Sequence, residues 1–175
     1  NLEVDGINIY DQNHPERITK WQNTISYVPQ DIFLLDGTIK ENIAYGIPKE
    51  LIDFNFVKKS AKFAKIDDFV KSNPLNYDTY VGERGIKLSG GQIQRIGIAR
   101  ALYKNAQVFI FDEATSALDY KTELEIINSI KTFNKEATII MIAHRLNSLR
   151  CCDKVIDIEL GRIKNVISGK DIDKI

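Results

Sequence analysis

The chain carries no excess of either charge: Lys+Arg and Asp+Glu each number 24 among 175 residues, and the formal net charge is zero. That balance offers no bulk attraction to nucleic acid or anionic lipid, so nucleic acid is not an expected partner. Cysteine is scarce, and the only two, Cys151 and Cys152, are adjacent. Neighbouring thiols are poorly placed to bridge distant parts of a fold and make no disulfide framework, so they read as a reduced pair. Long apolar runs are missing too. The longest, Ala137 to Ala143 interrupted by Thr138, has the length of a buried strand, against the roughly 20 residues a membrane-crossing helix needs. There is no secretory signal, internal repeat or low-complexity stretch. Methionine occurs once, at Met141, and the chain opens on Asn1; the polypeptide is expected to start inside a larger reading frame or to have been cut.

What remains is an ordinary globular composition, 43% hydrophobic and 27% charged, in about one domain's length. Residues 2–10 alternate apolar and polar around Asp5-Gly6, the signal of a short antiparallel hairpin. Ile25–Val28 reads as a strand stopped by Pro29. From Thr38 to about Lys71 apolar residues fall at helical spacing, interrupted at Gly46-Ile47-Pro48, which predicts several helices forming a lobe. The rhythm then changes. A helix is predicted from about Gly91 to Tyr103, a strand at Val108–Phe111, a helix near 120–133, a strand at Thr138–Ile142 and a short helix from Leu146. Lys154–Ile158 and Arg162–Val166 read as strands paired across Gly161. Continuous apolar strands alternating with helices predict an α/β fold with a parallel sheet covered on both faces and an inserted helical lobe.

In such sheets ligands sit beyond the carboxyl ends of the strands. Asp112 and Glu113 follow the apolar run 108–111; an Asp there can hold Mg²⁺ near the β- and γ-phosphates, and a neighbouring Glu can polarise an attacking water. Acids also end strands merely because the exposed end is wet. Leu88-Ser89-Gly90-Gly91-Gln92 precedes an amphipathic helix: the glycines let backbone N–H groups approach a ligand, Ser89 adds a hydroxyl, and the helix N-terminus favours an anion. On generic chemistry alone it is a glycine loop with a serine N-cap. His144 follows the strand 138–142 on the same rim as Glu113. Gln30 follows the strand 25–28 and can ligate Mg²⁺ or water through its amide oxygen.

Taken together, these residues resemble the ABC ATPase family in order and spacing over almost the whole chain. Gln30 stands at its Q-loop, Leu88–Gln92 is its signature motif, and Val108–Glu113 matches its Walker B segment with the catalytic glutamate. Ser116-Ala117-Leu118-Asp119 resembles its D-loop, and Ala143-His144-Arg145 its switch histidine. Tyr27–Leu35, Gly37–Ile43 and Val81-Gly82-Glu83-Arg84-Gly85 look like the exporter branch. Relatives acting on chromosomes split the signature with long coiled coils, and no sustained heptads occur between Gln30 and Leu88.

The resemblance implies a P-loop NTPase-like core, residues 1–30 and 88–175, with residues 31–87 as an inserted α-helical subdomain with flanking loops. It implies ATP and Mg²⁺ as ligands. Two such domains pair head to tail, each ATP lying between one partner's phosphate loop and the other's signature. Glu113 is then the general base, His144 holds the γ-phosphate, Asp112 and Gln30 serve Mg²⁺, and Asp119 reports across the dimer. Glu83 and Arg84 face transmembrane domains, which places the domain at the cytoplasmic face of a membrane.

Two departures stand out. Ile93 replaces a residue that is usually polar in the family. No Gly-x-x-x-x-Gly-Lys-Ser/Thr occurs; Gly169-Lys170 is followed by Asp171. The fold is therefore expected to be incomplete at the N-terminus, with exposed sheet edges and an uncovered apolar face, and the isolated chain to be inactive and prone to aggregate. The alternative is a non-hydrolytic partner that donates only its signature to another subunit's ATP.

Overall fold

The computed structural model describes residues 2–143 and 145–174, with the side chain of Lys174 left aside. The chain opens with a small antiparallel hairpin, β1 (Glu3–Val4) and β2 (Ile7–Asn8). Asp5 and Gly6 turn it, both at positive φ (50° and 75°), the backbone a tight hairpin turn requires. Helix α1 (Glu16–Thr24) follows and leads directly into β3 (Ile25–Val28). Three helices come next: α2 (Ile39–Ile43), α3 (Phe54–Phe63) and α4 (Asp67–Ser72). Then α5 (Gly90–Tyr103), β4 (Val108–Asp112), α6 (Tyr120–Phe133), β5 (Thr138–Ile142) and α7 (Leu146–Leu149) alternate. The antiparallel strands β6 (Val155–Glu159) and β7 (Arg162–Ile167) close the chain, ahead of a short 3₁₀ segment.

Strands β3, β4 and β5 form a parallel sheet with β4 in the middle. Ile25 pairs with Val108 and Val108 with Thr138, and the register runs on without a slip. All three strands therefore end on one edge. The register also sorts the side chains. Ser26, Val28, Phe109 and Phe111 are buried, and Ile139 and Met141 pack beside them. The opposite face carries Tyr27, Ile140 and Ile142, which are 55%, 47% and 51% exposed. The expectation of a sheet covered on both faces is thus corrected and that of an uncovered apolar face is met: among the described residues the helices cover one face, and the other stays apolar and open.

One continuous core runs from the covered face through α5 into the helices α2 to α4. Helix α5 buries Ile96, Ile98, Ala99, Ala101 and Leu102, so it is apolar nearly all round, as a helix between two layers must be. Helix α2 starts at a capping box: the Thr38 hydroxyl accepts from Glu41 N, and the Glu41 carboxylate accepts from Thr38 N at 2.8 Å. Asn42 on α2 is fully buried. Its amide accepts from Leu35 N at 2.8 Å and donates to the carbonyls of Leu35 and Thr38. Arg100 of α5 donates to the carbonyls of Asn42 and Phe33. These bonds fasten Phe33, Leu35 and α2, in the segment that follows β3, to α5.

Helix α1 has no counterpart in the hydrophobic pattern because none of its residues is buried. Among the described residues no helix is long and apolar enough to cross a membrane.

Candidate active site

The shared edge of the parallel sheet gathers residues that lie far apart in sequence. Past β3 stands Gln30, whose amide nitrogen donates to Glu113 Oε2 at 3.0 Å. On the same pair of strands, the Tyr27 hydroxyl donates to Asp112 Oδ2 at 2.8 Å. That bond stabilises the protonated phenol beside a carboxylate and raises the Tyr27 pKa. Each of the two adjacent acids is thus met by a neutral donor from β3 or the loop after it. Each of these bonds orients its carboxylate without adding a charge.

Glu113 sits at a sharp bend. Its φ is +48°, in the left-handed region that a non-glycine residue occupies at a cost, and such strain gathers at functional sites. Its N–H still donates to the Ile142 carbonyl at 3.0 Å, extending the ladder to β5 by one bond. Its own carbonyl accepts from Ser116 N, so the chain turns immediately into the segment Ser116–Asp119.

The glycine loop forms a second patch. Ser89 is the N-cap of α5: its hydroxyl accepts from Gln92 N, and the Gln92 side chain accepts from Ser89 N at 2.8 Å. Ser89 and Gly90 are exposed, whereas Leu88, Gly91 and Gln92 are partly covered. A Cβ on Gly91 would stand 3.4 Å from the Ala117 carbonyl and 3.3 Å from Leu118 Cδ2, and one on Gly90 3.5 Å from Ala117 Cβ. The loop therefore lies against Ser116–Asp119. Gln94 bonds the two together, donating to Ser116 Oγ and accepting from Ala117 N, each at 3.0 Å. Asp119 caps α6, accepting from Thr122 N and from the Thr122 hydroxyl at 2.6 Å, and the hydroxyl bond lowers its pKa.

The structure thus brings Gln30, Asp112 and Glu113 into one cluster, and Leu88–Gln92 with Ser116–Asp119 into another joined to it through the chain. Glu83 and Arg84 belong to neither. They are exposed on a 3₁₀ turn in which Gly82, Arg84 and Gly85 all have positive φ. His144 lies outside the described residues. Its neighbour Arg145 donates to the carbonyls of Leu118 at 2.8 Å and Ser116 at 2.9 Å.

Sequence reasoning passed over Gln94 and Glu123, and gave Tyr27 no task. The signals were present for the first two. Gln94 is a buried polar residue in an apolar helix, and Glu123 continues the stripe Ile126, Ile127, Ile130 at helical spacing. The hard oxygen donors of Asp112, together with the amide oxygen of Gln30, suit Mg²⁺ in kind.

A parallel α/β sheet with an acid pair at its strand ends, and a capped glycine loop on the helix that leads into the middle strand, fits the P-loop NTPase-like class. A solved structure, described as a bacterial Atm1-family ABC exporter with ATP bound, superposes with a TM-score of 0.82 at 42% identity, over 89% of this chain and 27% of that one. The family model described as "ABC transporter" matches residues 1–116. Among curated relatives, an uncharacterised ABC transporter ATP-binding protein, y4gM, of Sinorhizobium fredii is 46% identical over 81% of this chain and 24% of its own length. ABC transporter ATM1 of Toxoplasma gondii is 43% identical over 90% of this chain and 14% of its own length. The chain belongs to the ABC transporter family. It spans about a quarter or less of the length of these relatives.

Proposed function

We propose that this chain is part of the ATP-hydrolysing domain of an exporter, whose turnover of ATP moves a substrate across a membrane. The observation that carries the reading is the hydrogen bond from Gln30 to Glu113 beside Asp112, at the carboxyl edge of a parallel sheet. Glu113 acts as the general base. Gln30 orients its carboxylate, which takes a proton from water. Asp112 and the amide oxygen of Gln30 hold Mg²⁺, which supplies neutralisation of the charge on the phosphates. His144 contacts the γ-phosphate.

The exposed Ser89 and Gly90, at the N-terminus of α5, meet ATP bound to a second nucleotide-binding domain, to which Asp119 also reports. Residues 31–87 act as the helical subdomain on a core of 1–30 and 88–175. The exposed turn of Glu83 and Arg84 meets transmembrane domains on the same polypeptide, at the cytoplasmic face of the membrane. The sequence holds no Gly-x-x-x-x-Gly-Lys-Ser/Thr. The backbone N–H cradle and lysine that hold most of the triphosphate therefore come from elsewhere, and the chain alone does not turn over ATP.

That absence also supports a second reading, in which the chain donates only its signature to another subunit's ATP. Two variants of the full protein separate the readings. If Glu113 is the base, Glu113→Gln abolishes hydrolysis and spares ATP binding. If the chain only donates, Glu113→Gln leaves turnover intact while Gly90→Asp ends it. Wild-type hydrolysis in both variants refutes both readings.

A further inference from the structure

Helix α6 buries a carboxylate. Glu123 is 1% exposed, on the same stripe as Ile126, Ile127 and Ile130. An ion in such a place is costly unless it is paired and its lone pairs are filled. One oxygen is filled: Oε1 accepts from the Thr115 hydroxyl at 2.5 Å, and Thr115 is itself buried. The other, Oε2, accepts no hydrogen bond from the described residues. It faces Arg145 Nη1 at 3.9 Å, close enough for an ion pair and too far for a hydrogen bond. The guanidinium is turned the other way, with Nη1 on the Leu118 carbonyl and Nη2 on the Ser116 carbonyl.

A single buried carboxylate therefore reaches two segments of the candidate site. Through Thr115 it holds the chain two residues beyond Glu113. Through the charge of Arg145 it holds the cation that clamps two carbonyls of Ser116–Asp119. The Thr115 bond is directional and the Arg145 contact is a charge pair, and neither serves the general packing of α6, which its three isoleucines already provide.

We propose that Glu123 is a positioning residue: it fixes the bend at Glu113 and the Ser116–Asp119 segment relative to each other, through Thr115 and Arg145. The proposal rests on the reading of Glu113 as the base. Removing the charge with a glutamine loses the ion pair to Arg145 and loosens the clamp on Ser116–Asp119. Binding of nucleotide is not its task; alignment for the chemical step is.

The test uses the full-length ATP-hydrolysing protein, with Glu123→Gln, Thr115→Val, Arg145→Met and the double variant Glu123→Gln/Arg145→Met. Steady-state hydrolysis and the thermal midpoint are measured for each, with Glu113→Gln as the control. Glu123→Gln is expected to lower kcat by on the order of 10², the loss that follows from about an ångström of misplacement, with KM for ATP unchanged. The double variant is expected to be no slower than the slower single one, because Glu123 acts through Arg145. If Glu123→Gln does not fold, Thr115→Val carries the test, since it removes one hydroxyl and keeps the ion pair; it too should lower kcat and spare KM. Wild-type kcat in whichever variant carries the test overturns the proposal, as does a loss of kcat that only tracks a fallen thermal midpoint. Full turnover in the Glu113→Gln control is a separate outcome: it removes the reading of Glu113 as base, and this proposal with it.

Discussion

Gly97 lies in the middle of α5, where glycine is a poor choice: replacing it with alanine should gain about 1 kcal/mol of helix propensity. The structure opposes that gain. A Cβ at this position would stand 2.2 Å from Ile32 Cδ1 and 3.0 Å from both Cγ1 and Cγ2. Three atoms of one β-branched side chain converge on the same point, so a rotation that clears one contact keeps another, and overpacking of this kind costs about 1–3 kcal/mol. The clash outweighs the propensity, and Gly97→Ala is expected to destabilise by about 1 kcal/mol. For a domain of this size that lowers the thermal midpoint by about 2–4 °C. The sign should reverse when the opposing side chain is removed. With Ile32→Ala in place, adding Gly97→Ala should raise the midpoint, because only the propensity gain remains. Because Ile32 is two residues from Gln30, the single variant should also disturb the 3.0 Å contact with Glu113 and slow hydrolysis in the full protein, with recovery in the double variant. The assay is a four-cornered cycle of melting midpoints for the domain in the intact protein. A higher midpoint for Gly97→Ala alone, or an equal drop in both backgrounds, would refute the steric argument.

Three further outcomes follow from the same geometry. Asn42→Ala should destabilise by about 3 kcal/mol, since it strands the N–H of Leu35 and the carbonyls of Leu35 and Thr38 in a buried place; a melting shift under about 1 °C would contradict the network. The Lys49 ammonium bound to Glu41, with Thr38 N–H and hydroxyl beside it, lowers the Glu41 pKa from 4.5 to about 2. A depressed carboxylate stabilises the fold above its unfolded pKa and loses that contribution as pH falls through its folded one. Glu41→Gln should therefore flatten the stability profile between about pH 4.5 and pH 2, and an unchanged acid limb of the denaturation curve would count against it. The Tyr27 phenol should titrate above 10 and fall towards its ordinary value in Asp112→Asn, as read by the ¹³Cζ shift of that tyrosine; no fall would mean the hydroxyl is not on Asp112.

Much of the α/β alternation was legible because burial and periodicity agree. The predicted helix 120–133 and strand 138–142 match α6 and β5 as found, and β6 and β7 differ by a residue at their ends. Helix α1 was hard to read because it is mostly polar, with only Ile18 and Trp21 apolar and neither of them buried. The run Thr138–Ile142 predicted burial on both faces, yet Ile140 and Ile142 are half exposed; apolar content records what a strand suits, not which neighbour is present to cover it. The strand-end acids could be placed on one rim from the chain alone. Their partners could not, because the bonds from Tyr27 to Asp112 and from Gln30 to Glu113 bridge 85 and 83 residues and depend on β3 lying beside β4 in this register. Glu123 was visible as an acid on an apolar stripe, but its meaning needs Arg145, which reaches it from another element.

What unites these features is that α5 touches each proposed site segment at a different point along its length. Its N-cap is the glycine loop at Ser89. Gln94 holds Ser116 and Ala117, Gly97 seats Ile32, and Arg100 holds the carbonyls of Phe33 and Asn42. These contacts occur within 12 residues, and a helix rises only about 1.5 Å per residue, so they share one stiff element less than about 20 Å long. A shift of α5 therefore carries the glycine loop, the Ser116–Asp119 segment and the chain beyond Gln30 together. The sheet, by contrast, fixes Asp112 and Glu113 through the strand pairs on both sides of β4. Helix α5 and the buried sheet residues Val28, Phe109 and Phe111 belong to one core, which resists a shift of α5 against the sheet. At Gly97 the fit to Ile32, two residues from Gln30, is close enough for a single added carbon to move it.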